Sequence, residues 1–338
     1  MAEALVTITG DGLYCPAGGF HIDPWNPTPR AVVTHAHSDH ARAGCGHYLA
    51  SEAGRHVLRM RIGNEADILT VPYGEVIEHN GVRVSLHPAG HVLGSAQVRL
   101  EHRGEVWVIT GDYKLAADPT CTPFEHVRCH TFLTESTFGL PVYRWEEPRA
   151  LFERVNAWWR ANRDMGLTSV VYAYSLGKAQ RVLASVDSSI GPIFTHGAVE
   201  AMTEAYRASG VDLPATSYVG EATREKGKTW AGSLVVAPPS ALGSPWARKF
   251  QPASDAVASG WMQVRGTRRR KAVDRGFPLS DHADWPGLLT AVRESGASRV
   301  FATHGFAGEL ARYLREHGLD AGVIATRHGD EDDAEATS

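Results

Sequence analysis

A dense group of metal-binding residue types lies near the N-terminus, in the stretch AVVTHAHSDHARAG (31–44). The apolar run 31–33 in front of it predicts a strand that ends where the histidines begin. Alternate residues of an extended segment project to the same side, so His35 and His37 can face one ion together. Imidazole and carboxylate groups are ligands that suit zinc or manganese. The candidate ligands of this segment are His35, His37, Asp39 and His40.

Four ligands in six positions exceed what one tetrahedral ion could use with relaxed geometry, which predicts two divalent cations, Zn²⁺ and/or Mn²⁺. Further candidate ligands, His91, Asp112 and His304, each lie where a predicted strand gives way to a loop. A β-sheet scaffold usually presents its chemistry at such places. The alternative, an exposed polar loop that happens to contain histidines, accounts poorly for an H-x-H-x-D-H spacing directly after a strand.

The elements that would position these ligands change in character along the chain. Residues 1–135 are rich in short β-branched runs, including two strands around a turn at Arg103–Gly104. A long amphipathic helix is predicted for 146–164, followed by strand–loop–helix repeats that indicate a parallel sheet. Residues 255–264 read as a further strand. The pattern predicts an α/β fold.

With these motifs in place, the chain resembles the metallo-β-lactamase fold superfamily. The resemblance rests on THAHSDH (34–40), a later Gly-His at His91 and a Gly-Asp at Asp112. It implies an αββα sandwich in which His35, His37 and His91 hold one metal, Asp39 and His40 hold the other, and Asp112 bridges them. It also implies that Asp23 orients the ligand loop from behind the metals. A simple turn-capping role for Asp23 is the alternative.

Further motifs narrow the resemblance to one branch of the superfamily. FLTESTFG (132–139) contains Glu135, FPLSDHADW (277–285) contains His282, and ATHGF (302–306) contains His304. This order, with an α/β segment inserted between the first two motifs, resembles the β-CASP nucleases. The resemblance implies that Glu135 and His282 form an acid/base couple and that His304 completes the second metal site. The other two carboxylates expected in catalysis are Asp39 and, as an alternative partner of His282, Asp284.

The compact form of the chain, with GLYCPAGGFHIDPW (12–25) ahead of the histidines, is similar to the bacterial DNA-ligase-associated exonucleases. The resemblance covers about residues 10–320. It implies a metallo-β-lactamase domain at 1–144, an inserted β-CASP-like domain at 145–265 that is small and short for the family, and a closing part at 266–328. The acidic tail 329–338 is predicted to be disordered.

That resemblance implies a DNA exonuclease acting in repair, with 5′ to 3′ polarity weakly favoured. The expected partners are DNA, as a single strand or an end, and an ATP-dependent DNA ligase and a helicase of the same pathway. An RNA-processing nuclease of the same fold is the main alternative. A small-molecule ester or lactam hydrolase is disfavoured by Glu135, His282 and the inserted α/β segment.

Two sets of residues are candidates for binding the substrate's phosphates. The basic run RGTRRRKAVDR (265–275) predicts a phosphate clamp, although a solvated turn is the alternative. Ser175 and Lys178 lie at a predicted helix start, where a terminal phosphate could bind. The residues of the predicted clamp are Arg268, Arg269, Arg270 and Lys271.

The overall charge and the apolar pattern limit the function classes. A formal net charge of −4 argues against a protein that coats nucleic acid, but a local basic groove would be sufficient for an enzyme. The sequence contains no apolar run as long as a membrane span, and its N-terminal stretch lacks the basic and apolar regions of a signal peptide. We therefore expect a cytoplasmic protein without membrane association.

Overall fold

The computed structural model describes residues 4–223, 229–264 and 273–325. The chain divides into two compact units, one formed by Met1–Arg144 with His282–Ser338 and the other by Trp145–Asp281. The inserted segment was predicted to end at 265, but the second unit continues to Asp281. The reason is that Arg275–Phe277 forms a strand in the sheet of the second unit, and Phe277 packs in that unit's core. The basic run 268–271 and the tail 329–338 lie outside the described residues.

The strands and helices of both units have the following bounds. The strands are β1 (Thr7–Thr9), β2 (Gly12–Cys15), β3 (Phe20–Ile22), β4 (Arg30–Val32), β5 (His47–Ser51), β6 (Ile68–Val71), β7 (Val76–His79), β8 (Val82–Pro88), β9 (Ala96–His102), β10 (Glu105–Ile109), β11 (Thr131–Glu135), β12 (Thr168–Tyr172), β13 (Ile193–Thr195), β14 (Ser217–Tyr218), β15 (Leu234–Ala237), β16 (Ala253–Ala258), β17 (Arg275–Phe277), β18 (Arg299–Thr303) and β19 (Asp320–Val323). The α-helices are α1 (Arg55–Ile62), α2 (Pro148–Asp164), α3 (Lys178–Ser185), α4 (Gly197–Ala208), α5 (Val219–Ala222), α6 (Pro245–Arg248), α7 (Trp285–Ser295) and α8 (Ala307–Glu316). Within the described ranges, none of the helices has the length and apolar character that a bilayer crossing requires.

The first unit is built on two sheets that share one apolar core. Their strand orders are β1-β2-β3-β4-β5-β6 and β19-β18-β11-β10-β9-β8-β7. Alternation within β8 shows why the sheets pack, because Val82, Val84 and Leu86 are buried while Arg83 between them is exposed. These side chains meet residues of the first sheet such as Ile22 in a common cluster. Burial of both inner faces therefore holds the sheets together.

Two helices cover the other face of the second sheet. Leu288 of α7 and Leu310 and Leu314 of α8 pack in one cluster with Phe132 and Val300 of the strands. The i, i+4 spacing of the two α8 leucines places both on the face that meets the sheet. The architecture is thus α/β, as predicted, and the full αββα layer order stays a prediction.

The strand directions place several loops at the same edge of the second sheet. Strands β10, β11 and β18 are parallel, and β8 runs in the same direction because both β8 and β10 are antiparallel to β9. The carboxyl ends of these strands therefore lie together. In the first sheet β3 and β4 are also parallel neighbours. The residues that follow these strands are the candidate ligands of the sequence analysis.

The second unit contains a parallel sheet of order β14-β13-β15-β12-β16-β17. The predicted helix at 146–164 is present and begins at Pro148, whose fixed φ suits the first helical position. The strand expected at 255–264 is shorter than predicted, because β16 ends at Ala258. A 3₁₀ turn over Gly260–Gln263 follows, and the Ser259 side chain accepts from the Trp261 backbone amide at its start.

The close approach of two loops in the first unit supports a test by substitution. Gly94 has φ +77°, and a Cβ there would lie 2.0 Å from the Cα of Gly54; Gly104 has φ +82° with nothing within 4 Å. In Gly104→Ala the only penalty is that of an alanine at positive φ, so the free energy of unfolding should fall by about 1 kcal/mol. Gly94→Ala should lower it by about 3 kcal/mol or more, since backbone must move.

Urea unfolding followed by circular dichroism measures both changes. If both variants lose the same free energy of unfolding, the close approach of Gly94 to Gly54 does not contribute to stability.

Candidate metal centre

Four side chains converge at the aligned strand ends to form the first ligand set. The Nδ1 atom of His37 lies 3.1 Å from the Nε2 atoms of both His35 and His91. Oδ2 of Asp112 lies 3.5 Å from Nε2 of His35 and 3.8 Å from Nε2 of His91. Ligands about 2.0–2.1 Å from a tetrahedral ion are separated by roughly 3.3–3.4 Å, so these spacings fit one cation. The structure thus brings together the four residues expected around the first metal.

The second ligand set is centred on His40. Its Nε2 atom lies 3.4 Å from Oδ2 of Asp112 and 3.5 Å from Oδ2 of Asp39. This nitrogen is buried and has no hydrogen-bond partner among the described residues. The ring of His304 is 5.8 Å from the ring of His40, centroid to centroid. A buried nitrogen without a hydrogen bond, facing two carboxylates, fits a site for a second cation.

Asp23 fixes the loop that carries these ligands. It follows β3, and its Oδ1 accepts from the Thr34 backbone amide at 2.8 Å while Oδ2 accepts from the Thr34 hydroxyl at 2.6 Å. Oδ2 also lies 2.7 Å from Nδ1 of His40. Nδ1 of His40 therefore donates to a carboxylate, which leaves Nε2 directed at the ligand side. This geometry matches the orienting contact expected of Asp23.

The charges of the site favour a cation. Burial opposes a charge on His40, yet the surrounding carboxylates, led by Asp112, raise its pKa well above the ordinary value. Burial would raise the pKa of Asp112, but His40 beside it holds that pKa well below the usual range. Burial lowers the pKa of His35, with neighbouring imidazoles adding to the effect, so His35 is neutral as metal ligation requires. The pocket thus combines the charged carboxylate of Asp112 with the neutral imidazole of His35.

Glu135 and His282 form a buried pair next to these ligands. Nδ1 of His282 lies 2.9 and 2.8 Å from the two carboxylate oxygens of Glu135. Glu135 Oε1 also accepts from the Tyr113 backbone amide at 2.7 Å, and burial raises the pKa of the carboxyl group. The ring of His282 is 4.7 Å from that of His91 between centroids, so the pair reaches the first ligand set.

Asp284, the alternative partner of His282, has a different contact. Its Oδ1 accepts from the Gly287 backbone amide at 2.9 Å and caps the start of α7. His282 Nδ1 contacts Glu135, and a catalytic role for Asp284 stays a prediction.

The residues predicted to hold a terminal phosphate lie in the second unit. Ser175 is half-buried in the loop before α3, and Lys178 is the first residue of that helix. The Lys178 side chain is buried, with Nζ 4.2 Å from the Tyr174 ring centroid and 3.9 Å from Oδ2 of Asp281. The ammonium group therefore faces a carboxylate of its own unit. Phosphate binding by these residues stays a prediction.

A buried lysine that the sequence analysis missed connects two of the ligand loops. Lys114, on the loop that carries Asp112, donates from Nζ to the backbone carbonyl of His91 at 3.2 Å and to Asp118 Oδ2 at 2.6 Å. Asp118 in turn accepts from the amide and hydroxyl of Thr120. A signal was present in the sequence, because Lys114 is the single lysine of residues 1–144. A compact ammonium group suits such a buried position.

Comparisons with known proteins identify relatives of the chain, although no family model matches it. The "Probable DNA ligase" of Opitutus terrae is 34% identical over 320 residues, which are 93% of this chain and 30% of that protein. The "Cleavage and polyadenylation specificity factor subunit 3" of Dictyostelium discoideum is 32% identical over 120 residues, 35% of this chain and 15% of that protein. "Endoribonuclease YSH1" of Saccharomyces cerevisiae is 28% identical over 134 residues, 36% of this chain and 15% of that protein.

These similarities support the resemblance of the chain to the metallo-β-lactamase-fold β-CASP family. The chain spans less than a third of the length of each of these relatives. A solved structure of a protein of unknown function from Enterococcus faecalis has a similar fold, with a TM-score of 0.60 and 10% identity. The similarity covers 89% of this chain and 80% of the other. The β-CASP family consists of metal-dependent hydrolases, in agreement with the ligand sets described above.

Removal of the Lys114 ammonium should weaken both folding and metal binding. In Lys114→Met the carboxylate of Asp118 stays buried without its ammonium partner, and we expect a loss of about 3–5 kcal/mol in the free energy of unfolding. The His91 loop also loses a donor, so metal affinity should fall about 10–100-fold. Urea unfolding of metal-free protein and competition with a chromophoric chelator measure the two effects.

The double variant Lys114→Met/Asp118→Asn provides the matched control. It should regain part of the stability, because the uncompensated charge is gone, while its metal affinity stays low. Parent-like metal affinity in both variants would show that this lysine does not position the ligand loops.

Proposed function

We propose that the chain is a binuclear metal-dependent nuclease that hydrolyses phosphodiester bonds of DNA as an exonuclease. The observation that carries the proposal is the position of Asp112, whose carboxylate lies within reach of both ligand sets and of the buried acid/base pair. A lone metal-binding cluster would serve many functions, whereas two ligand sets beside an acid/base pair suit phosphoryl transfer.

The ligands divide between two ions. His35, His37 and His91 would hold the first cation, and Asp39, His40 and His304 the second, with Asp112 shared by both. When bound, the cations, Zn²⁺ and/or Mn²⁺, would lower the pKa of a water molecule and neutralise charge on the phosphate. The protein's own contribution is the fixed spacing of the ligands, which Asp23 and Lys114 maintain through the loops they contact.

His282 would act as the general acid of the reaction. With Nδ1–H donated to Glu135, the ring has a fixed tautomer and orientation, and Nε2 becomes the nitrogen that transfers a proton to the leaving oxygen. Glu135 stabilises the protonated imidazole and is itself held by the Tyr113 amide. The buried position of the pair excludes water that would compete for the proton.

The choice of DNA over RNA rests on the name of one relative and on the resemblance of the sequence. A relative that aligns with 93% of the chain has a DNA ligase name, which supports a role at DNA ends alongside a DNA ligase. The ATP-dependent type of that ligase, the helicase and the role in repair rest on the resemblance of the sequence. The endoribonuclease name of another relative supports RNA as the second candidate substrate. We propose 5′ to 3′ polarity on the basis of the resemblance.

A digestion assay tests the proposal and separates the candidates. Oligonucleotides of DNA and RNA, single- or double-stranded and labelled at the 5′ or 3′ end, are incubated with Mn²⁺, Zn²⁺ or chelator. We expect metal-dependent release of nucleotides from DNA, because both ligand sets must be filled for cleavage. Cleavage that a chelator leaves unchanged would contradict the metal mechanism, and cleavage confined to RNA would favour the second candidate.

Substitution of the proposed general acid should reduce cleavage without loss of metal. We expect His282→Ala to lower the rate about 10²–10⁴-fold at saturating metal, since the leaving oxygen loses its proton donor. His87→Ala is the control, because His87 contacts Ser85 and Glu125 and takes no part in the site.

Metal content is measured on the same samples. A His282→Ala variant that cleaves at the parent rate would exclude the general-acid role.

A further inference from the structure

A cluster of rings and basic side chains lies at the carboxyl edge of the parallel sheet in the second unit. His196 follows β13, Tyr218 ends β14, and Trp246 lies in α6 with Lys249 directly after it. Strands β13 and β15 are neighbours in the sheet. The strand that follows β13 in the chain, β14, lies on one side of this pair, and the strand that follows β15, β16, lies on the other side. Such a reversal at the carboxyl ends of parallel strands forms a crevice where α/β sheets bind ligands.

The Trp246 ring is held in place by a buried ring behind it. Phe250 is 1% exposed, and its ring centroid lies 4.8 Å from that of Trp246 at 69°. The His196 ring approaches Trp246 from another direction, with 4.9 Å between centroids. Trp246 itself is only half-buried. A rigid aromatic ring therefore keeps part of its surface at the solvent.

The Tyr218 ring is also fixed at the surface, in this case by two glycines. A Cβ at Gly220 would lie 2.4 Å from the ring carbon Cζ of Tyr218, and one at Gly197 would lie 3.3 Å from Cε2. The ring thus occupies space that side chains at these positions would fill. It remains 40% exposed, although a tyrosine ring would gain from burial.

The charge beside the Trp246 ring is basic. Lys249 Nζ lies 4.9 Å from the Trp246 ring centroid and 5.5 Å from that of Phe250, and Arg248 beside it is exposed. Glu200, the acidic residue in the first turn of α4, contacts Arg207 at 3.3 Å and accepts from the hydroxyl of Thr216, so its charge is compensated. Fixed rings with adjacent cations are the combination that binds unpaired bases and their phosphates.

We propose that His196, Tyr218, Trp246 and Lys249, together the aromatic surface, bind a single-stranded segment of nucleic acid. Bases stack on the exposed parts of the Trp246 and Tyr218 rings, and Lys249 with Arg248 contacts the phosphates. The inference rests on the proposed function, because it concerns how the same polymer substrate is held. Stacking tolerates any base, so the aromatic surface gives affinity with little sequence preference.

Binding of a fluorescently labelled 30-nucleotide single strand, followed by anisotropy in the presence of chelator, tests the proposal. Trp246→Ala and Tyr218→Ala should each weaken binding roughly five- to hundredfold, the range for loss of one stacked base. Trp246→Phe should restore most of the affinity, because a ring is retained. Lys249→Gln should weaken binding and lower its salt dependence.

Arg149→Gln is the control for charge, since Arg149 is highly exposed on α2 and lies outside the aromatic surface. Thermal melts verify that each variant is folded. Parent-like affinity in the Trp246→Ala/Tyr218→Ala double variant overturns the proposal. Cleavage of the same strand by the parent protein with Mn²⁺ is recorded alongside, so that loss of the proposed function is distinguished from loss of the aromatic surface alone.

Discussion

A single buried carboxylate, that of Asp112, has to face two groups of imidazoles at once, and the rest of the site depends on this constraint. Its Oδ2 atom is within 3.4–3.8 Å of ring nitrogens from His35, His40 and His91. A buried carboxylate is costly without compensating positive charge. The imidazoles supply only part of that charge, because His35 is kept neutral by burial. Two divalent cations would compensate it fully and explain why the ligands cluster so tightly.

The loops that hold this carboxylate and its neighbours contain unusual backbone conformations. Asp23 and His304 have φ of +44° and +58°, a region that residues other than glycine rarely adopt. Strain of this kind persists only where surrounding contacts fix the conformation. The bonds from Thr34 and His40 to Asp23 provide such contacts. The protein's own contacts therefore help to fix the ligand positions, as preorganised metal sites require.

The sequence predicted much of the site, because its ligands come in short motifs at strand ends. The H-x-H-x-D-H segment, His91 and Asp112 could be found since each follows an apolar run, and the structure brings them together. The turn at Arg103–Gly104 was also predictable from its local pattern, and β9 and β10 flank it.

Other features were not predicted, because they depend on contacts between segments that are distant in the sequence. Lys114 lies in no recognisable motif, because its role in connecting the ligand loops depends on contacts with the carbonyl of His91 and with Asp118. The end of the second unit was placed too early because the short strand at Arg275–Phe277 is recognisable only from its pairing with β16. The capping contact of Asp284 was not predicted, because the sequence cannot distinguish a carboxylate that caps a helix from one that contacts histidine.

Anomalous diffraction from crystals grown with Mn²⁺ or Zn²⁺ would reveal whether two cations share the carboxylate of Asp112. We expect two peaks, each about 2.0–2.2 Å from an oxygen of Asp112, one beside His35 and His91 and the other beside His40. A map with no peak at Asp112, or with an ion bound far from it, would contradict the account.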